Sequence, residues 1–164
     1  MSQKGIVAVQ GNFGADKAYL HGAGEGSVAL GSANLGIFTK FHLIHKVTLV
    51  KIAVEVTTQT AGGKVASIGI YDAETGLLLG SEDALDWTAA GIKTAAIALT
   101  LHPGAYWVGI STDDTVTIRG QAYGGKLIGL TEHGTKATTY PPPAALPSTL
   151  TAVDGIPQVG LALV

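Results

Sequence analysis

The sequence predicts an all-β protein: an antiparallel β-sandwich, jelly-roll-like, preceded by an extended Gly/Ala-rich N-terminal arm. Short apolar segments with a period of two recur along the chain, and Gly, Pro and Asp residues at turn-forming positions separate them. Together they predict about eight to ten short strands, which is typical of a sandwich or jelly roll. A short helix is expected at one place only, Ser81–Ile92.

The first 36 residues predict an arm rather than a packed unit. They are rich in Gly and Ala, and glycine loses much backbone entropy on folding while offering no side chain to pack. We expect this arm to lie on a neighbouring subunit, with Phe13 and Tyr19 as its contact residues. The domain organisation is therefore an arm over residues 1–36 and one sandwich domain over residues 37–164.

The clearest strand is Val47–Thr57, whose side chains alternate between two faces. The residues predicted to face the core are Thr48, Val50, Ile52, Val54 and Val56. Lys51 and Glu55 are predicted to face water. The apolar C-terminal segment, Val159–Val164, is predicted to pair into a sheet.

Two reversals of the chain are also predicted. Asp72–Gly76 has the composition of a turn, because Asp begins turns and Gly accepts a positive φ. Ala105–Thr112 and Thr115–Arg119 are predicted to form a hairpin around Asp113 and Asp114.

The composition is poor in charge. Charged residues make up 13% of the chain, against about 25% in ordinary soluble domains, while 46% is hydrophobic and mean hydropathy is +0.35. There is no cysteine, so neither disulfides nor thiolate metal sites can stabilise the fold. We expect other subunits to cover part of the surface, since large bare apolar patches favour association. The alternative is a soluble surface of Thr, Ser and Gly.

Charge and hydropathy argue against two classes of partner. The net charge is −2, the nine lysines are spread evenly, and Arg119 is the single arginine. Nucleic-acid binding usually needs clustered Lys and Arg, so none is expected. No apolar stretch reaches the roughly 18–20 residues of a membrane span, and no signal-peptide pattern is present at the N-terminus. We expect synthesis in a cytoplasm without export by an obvious route.

The sequence offers few candidates for chemistry. It contains no G-x-S-x-G, P-loop or H-E-x-x-H pattern, so we expect no enzyme and no cofactor. His42 and His45 are three apart, which on a strand sends them to opposite faces, so no metal site is predicted from this pair. An axial site built by one histidine from each of several copies stays open. Glu82, Asp83 and Asp86 are either calcium ligands or a solvated segment.

Aromatic residues give the remaining candidates. Tyr106 and Trp107 are adjacent on one strand and point to opposite sides, so one is predicted in the core and the other partly outside. Burial tendencies favour the core for Trp107. Trp87 follows a polar segment and is the first candidate for an exposed sugar or partner contact, and Tyr123 is the second.

Four segments resemble a known group of proteins: Val50–Thr58, Ile68–Gly76, Leu101–Gly109 and Ala145–Leu150. In this order they resemble the β-sandwich modules of tailed-phage virion proteins. Such modules occur in tail fibres, minor tail proteins and head fibres or decoration proteins, often as trimers. The resemblance covers roughly residues 37–164.

This resemblance implies a virion structural protein on the capsid or tail surface. The leading hypothesis is a capsid decoration (cement) or head-surface protein. It would form a homo-oligomer, expected to be a trimer, and bind the major capsid protein or other virion proteins through multivalent contacts. The alternative is a receptor-binding tail fibre or tail-tip module that recognises a host surface glycan. An enzyme such as a depolymerase is disfavoured, because no acid/base or nucleophile constellation is found.

Overall fold

The apolar segments of the sequence pair into two antiparallel sheets. The computed structural model describes residues 17–20, 26–30, 34–59, 65–122, 133–137, 141, 143–151, 155–157 and 159–163. The strands of these residues are, in chain order, β1 (Lys17–Leu20), β2 (Ser27–Leu30), β3 (Leu35–Leu43), β4 (Val47–Gln59), β5 (Val65–Asp72), β6 (Leu78–Asp86), β7 (Gly91–Ala95), β8 (Leu99–Leu101), β9 (Gly104–Thr112), β10 (Val116–Ala122), β11 (His133–Ala137), β12 (Gly155–Pro157) and β13 (Val159–Leu163).

Sheet A is built around the long strand β4. Its order is β1-β13-β4-β10-β12, with β2 also on β10 and with β7 and β8 also on β4. Sheet B has the order β11-β3-β9-β5-β6. Both sheets are antiparallel throughout and no helix occurs among the described residues, which confirms the predicted antiparallel sandwich.

Part of the stretch predicted as an arm belongs to sheet A. Strand β1 pairs with β13, where Tyr19 lies opposite Gly160, and β2 pairs with β10. The buried side chain of Val28 on β2 packs in the core. Phe13 lies outside the described residues, so the prediction that it contacts a neighbouring subunit remains a prediction.

The main core lies between the two sheets. Strand β3 contributes Ile37 and Phe41, which face the inner side chains of β4, and β5 and β9 add further isoleucines and valines. The completely buried members of this core include Ile37, Leu49, Ile52, Ala66, Ile68, Ile70, Trp87, Ala95, Ile110 and Ile118. The filled interior is what holds the sheets at a fixed spacing.

Strand β4 follows the predicted alternation only in its second half. Ile52, Val54 and Val56 are buried as predicted, whereas Leu49 is buried in place of Thr48 and Val50. The reason is a β-bulge: between two successive pairs β13 advances by one residue while β4 advances by two, from Lys51 to Leu49. The extra residue shifts the inward face by one position. Lys51 is exposed and Glu55 partly exposed, as predicted.

The predicted turn at Asp72–Gly76 is confirmed as the connection between β5 and β6. Oδ1 of Asp72 accepts hydrogen bonds from the backbone N–H of Glu74 and from both the N–H and the hydroxyl of Thr75, at 2.7–3.1 Å. These bonds hold the pKa of Asp72 below its usual value, the Thr75 backbone bond contributing most. Gly76 has a φ of 72°, which favours glycine.

The helix predicted at Ser81–Ile92 is wrong, because strand β6 occupies its first half and pairs with β5, and β7 begins at Gly91. The pairing steps from Ala66 opposite Leu85 to Ile68 opposite Glu82, so one residue of β5 faces two of β6. Ala84, within this bulge, has a φ of 58°. Hydrogen bonding to a neighbouring strand overrides the local helix preference of the Glu, Asp and Ala residues.

The hairpin predicted around Asp113 and Asp114 is also wrong, although both of its strands exist. Strand β9 pairs with β3 and β5 in sheet B, whereas β10 pairs with β2, β4 and β12 in sheet A. The Asp113–Asp114 turn therefore crosses from one sheet to the other. Two hydrogen bonds fix this crossing: the N–H of Val65 donates to Oδ1 of Asp113 at 3.0 Å, and the N–H of Asp113 donates to the carbonyl of Val65 at 3.1 Å. A turn signal shows where the chain reverses but does not specify the partner strand.

Sheet B is covered on its outer face as well. Phe38, Tyr71 and Trp107 form an outer aromatic cluster there, packed against Leu146 and Leu150. Trp107 is buried as predicted, but it lies in this outer cluster. Its neighbour Tyr106 is buried in the main core, so the prediction that one of the two is partly exposed is wrong. Both faces of β9 are buried because the chain itself covers the second one.

Two glycines make room for the outer aromatic cluster. Gly109 lies beside Phe38 and Gly69 in the sheet register, and the rings of Phe38 and Tyr71 lie over these glycines. The two rings meet edge to face with centroids 5.9 Å apart, a favourable arrangement. A methyl group at position 109 would occupy the space that the rings use.

We expect Gly109→Ala to destabilise the fold by about 1–3 kcal/mol, since it overpacks a filled layer. The new Cβ would lie 2.7 Å from Cε1 of Phe38 and 3.0 Å from Cε2 of Tyr71. Urea unfolding measures the loss. The control is Gly104→Ala, whose Cβ would lie 3.8 Å from Tyr106 and should change stability by less than about 0.5 kcal/mol. Equal stability of the two variants would contradict this packing.

Candidate interaction surfaces

Residues 143–150, named here the cover segment, close the outer face of sheet B. The hydroxyl of Tyr71 donates to the carbonyl of Pro143 at 3.0 Å. The N–H of Leu78 donates to the carbonyl of Ala144 at 3.0 Å, and the N–H of Leu146 donates to the carbonyl of Gly76 at 2.7 Å. This part of the sheet is therefore occupied by the chain itself and is not a free docking face.

Burial also sets the protonation of Tyr71. Loss of water around the phenol raises its pKa well above the usual value, and the negative charge of Asp83 raises it further. The hydroxyl therefore stays protonated and remains a hydrogen-bond donor to the cover segment. Lys40 lies at the rim of the same face, with its ammonium 6.0 Å from the ring centroid of Trp107.

Trp87, the first candidate for an exposed contact, is fully buried in the main core, so this prediction is wrong. The side chain of Asp86 accepts hydrogen bonds from the N–H and hydroxyl of Thr88, at 2.9 and 2.6 Å. These bonds connect the residues immediately before and after Trp87, and the indole points inward between the sheets. Its Nε1 makes no hydrogen bond in the structure. Tyr123, the second candidate, lies outside the described residues.

The burial of Trp87 is directly testable, because Trp87 and Trp107 are the only tryptophans in the chain. Both have less than a tenth of their surface exposed, so we expect acrylamide to quench native fluorescence far less than that of the urea-unfolded chain. Trp107→Phe isolates the signal of Trp87. If acrylamide quenched the native variant as strongly as the unfolded chain, the result would contradict the burial of Trp87. Trp87 would then again be a candidate for a surface contact.

The carboxylates of β6 accept hydrogen bonds from three different parts of the fold. Glu82 accepts from the N–H of Ala96, Asp83 from the hydroxyl of Ser67, and Asp86 from Thr88. The Thr88 bonds lower the pKa of Asp86. Among the described residues, no three His, Cys, Asp or Glu side chains are arranged to hold a metal ion. His42, on β3, and His45, in the turn after it, belong to this searched set.

An ion pair between described residues lies at the centre of the outer face of sheet A. Arg119 on β10 donates from Nε and Nη2 to the two carboxylate oxygens of Glu55 on β4, at 3.0 and 2.8 Å. The hydrogen bond and positive charge of Arg119 hold the pKa of Glu55 below its usual value. Beside this pair, the hydroxyl of Thr57 donates to the carbonyl of Thr117 at 3.1 Å.

We expect Glu55→Gln to cost less than about 1 kcal/mol at pH 7, because the pair is partly exposed to solvent. A lowered pKa in the folded state means that the carboxylate stabilises the fold above about pH 4.3, the usual value in unfolded chains. This contribution disappears as the pH falls through the lower folded value, so wild type and variant should converge near pH 2.

Urea unfolding at several pH values measures this convergence. Lys51→Gln removes an exposed charge on the same strand and serves as the control, with an expected change below about 0.5 kcal/mol at pH 7. A stability difference between wild type and Glu55→Gln that is the same at pH 7 and pH 2 would show that the ion pair does not stabilise the fold.

Large apolar side chains are exposed at turns and edges of the sandwich. Ile44, in the turn between β3 and β4, is 77% exposed, and Ile92 on the edge strand β7 is 74% exposed. Leu77, just before β6, is 56% exposed, and Leu79, in β6, is 42% exposed. Sequence analysis missed these four residues, because each belongs to an apolar segment and only the pairing pattern shows which members remain outside.

Comparisons of the chain with protein-family models and with curated proteins found no match. The described part of the chain contains no helix with the length and apolar character to span a membrane. The fold and its exposed edges are therefore the basis on which a function can be inferred.

Proposed function

We propose that this chain is a virion structural protein that acts by adhesion, as a capsid decoration (cement) or head-surface protein without catalytic activity. The main supporting observation is the exposure of large apolar side chains on an otherwise well-filled sandwich: Ile44, Leu77, Leu79 and Ile92. Such side chains favour burial against another protein surface. They lie on turns and edges, where a neighbouring subunit or a lattice can reach them.

The low charge content supports the same proposal. Charged residues form only 13% of the chain, and the described carboxylates of β6 and of the Asp72 turn accept hydrogen bonds within the fold. A surface with so few charged residues favours a packed assembly over a solvated monomer. Several weak apolar contacts, repeated by symmetry, give strong attachment without any single tight site.

The four segments that resemble phage virion modules lie close to one another in the fold. Ile68–Gly76 covers the end of β5 and its turn, and Leu101–Gly109 includes most of β9, the neighbouring strand. Ala145–Leu150 belongs to the cover segment over these two strands. Val50–Thr58 is the centre of β4 in the facing sheet. The resemblance thus concerns one packed unit rather than scattered strands.

The location can be tested on virus particles propagated from the genome that encodes the chain. Immunogold labelling with an antibody against the purified protein is expected to mark the heads. Labelling confined to tail tips would favour the alternative, a receptor-binding module, and a glycan array would then be the next measurement. Particles without any label would refute a virion role.

A pair of substitutions tests the attachment mechanism. We expect Ile44→Thr and Ile92→Thr each to weaken co-sedimentation with particles by about tenfold, since each removes most of the apolar burial of an isoleucine. The control is Thr94→Ser, which alters an exposed residue on the same strand as Ile92 without removing a large apolar group. Unchanged attachment of both isoleucine variants would mean that the exposed apolar residues do not mediate binding.

A further inference from the structure

The charges of sheet B are separated along the sequence. Residues 65–92 contain five acidic residues and no Lys, Arg or His, whereas residues 35–46, which form β3 and the turn after it, contain two Lys, two His and no acidic residue. Strand β9, between these two groups in the sheet, has no charged side chain. One side of sheet B is therefore acidic and the other basic.

The sheet order places these two groups at separate edges. Strand β6 is the last strand of sheet B, and β9 and β5 separate it from β3, a distance of about 14 Å at the usual strand spacing. Strand β11 pairs only with Leu35–Thr39 of β3. In the described part of the chain, the second half of β3 thus has no strand on that side.

Each charged edge also has exposed apolar side chains. We define the acidic edge as the β5–β6 turn with β6, which includes Glu74, Leu77, Leu79, Asp83 and Asp86. We define the basic edge as the end of β3 with the turn after it, which includes Lys40, His42, Ile44, His45 and Lys46. Three of the four exposed large apolar residues of the described chain lie on these two edges.

We propose that copies of this chain associate head to tail, the acidic edge of one copy binding the basic edge of the next. Opposite charges attract across such a contact, and like charges exclude acidic–acidic and basic–basic pairing. The exposed leucines of one edge and Ile44 of the other supply apolar area. Because the two edges are different surfaces, the contact is heterologous and produces a closed ring when the rotation closes.

The proposal deepens the proposed function, since it names the surfaces through which the adhesive subunits would assemble. Charged edge strands also protect sheets from unspecific pairing, and that role alone would leave the chain monomeric. Protection of an edge strand requires only that the edge be charged, and the sign of the charge does not matter. The separation of acidic and basic residues onto different edges therefore favours pairing between copies.

Two variants of the full chain, each with one edge disabled, test the proposal. The acidic-edge variant combines Glu74→Gln with Leu79→Ser, and the basic-edge variant combines Lys46→Gln with Ile44→Ser, so neither disabled edge gains a charge complementary to the other. All four positions are exposed, so both variants should retain the native unfolding transition, which is checked first. Light scattering coupled to size-exclusion chromatography then gives the molar mass of each variant and of their equimolar mixture.

The wild type is expected to be oligomeric and each variant monomeric. Their mixture is expected to form a heterodimer and nothing larger, because each member keeps one intact edge. Raising NaCl from 0.05 to about 0.5 M should weaken the wild-type oligomer, since exposed charges are then screened. A monomeric wild type, variants that oligomerise like the wild type, or a mixture that stays monomeric would overturn the proposal.

A matched control changes charge on the outer face of sheet A, with Lys51→Glu and Thr94→Lys, and should leave the wild-type mass unchanged. Dissociation of this control would contradict the assignment to sheet B. Head labelling by a monomeric wild type would refute head-to-tail assembly while leaving the virion role intact. A heterodimer in the mixture without any particle labelling would support head-to-tail assembly and refute the virion role.

Discussion

Burial of both faces of sheet B is the constraint on which the rest of the structure depends. Strands β3, β5 and β9 place one set of side chains in the main core, and on the other face they place Phe38, Tyr71 and Trp107 under the cover segment. This arrangement requires glycines where rings come close to the sheet, as at Gly109, and it fixes the phenol of Tyr71 as a donor to Pro143. A chain without disulfides thereby gains a second apolar layer beyond the ordinary two-sheet core.

Because the cover segment of the chain itself packs on the outer face of sheet B, partners have to bind elsewhere. Among the described residues, the remaining surfaces are the strand edges, the turns and the outer face of sheet A, where the Glu55–Arg119 pair lies with Ile92 opposite Glu55. The exposed apolar residues are found at those edges and turns rather than in a cleft. An adhesive role follows more readily from this distribution than a role that needs substrate enclosed among converging groups. The separated charges of sheet B would then give the adhesive contacts a direction.

Local features were predictable from the sequence and tertiary ones were not. The Asp72–Gly76 turn and the inward residues Ile52, Val54 and Val56 depend on neighbouring residues and were predicted correctly. The bulge that turns Leu49 inward depends on the register with β13, which no single strand encodes. The direction of the Trp87 indole depends on the Asp86–Thr88 bonds and on space between the sheets. The exposed edges were missed for the same reason, since an edge exists only once the strand order is known.

The most direct test of the two-sided burial is the reactivity of a thiol placed on the outer face of sheet B. The chain has no cysteine, and Ser111 on this face is 1% exposed with a hydroxyl that makes no hydrogen bond, so Ser111→Cys changes little else. Ser148→Cys, exposed in the cover segment, is the reference. Maleimide is expected to label Ser148→Cys at once and Ser111→Cys only after unfolding in urea. Labelling of native Ser111→Cys as fast as Ser148→Cys would contradict the covered outer face.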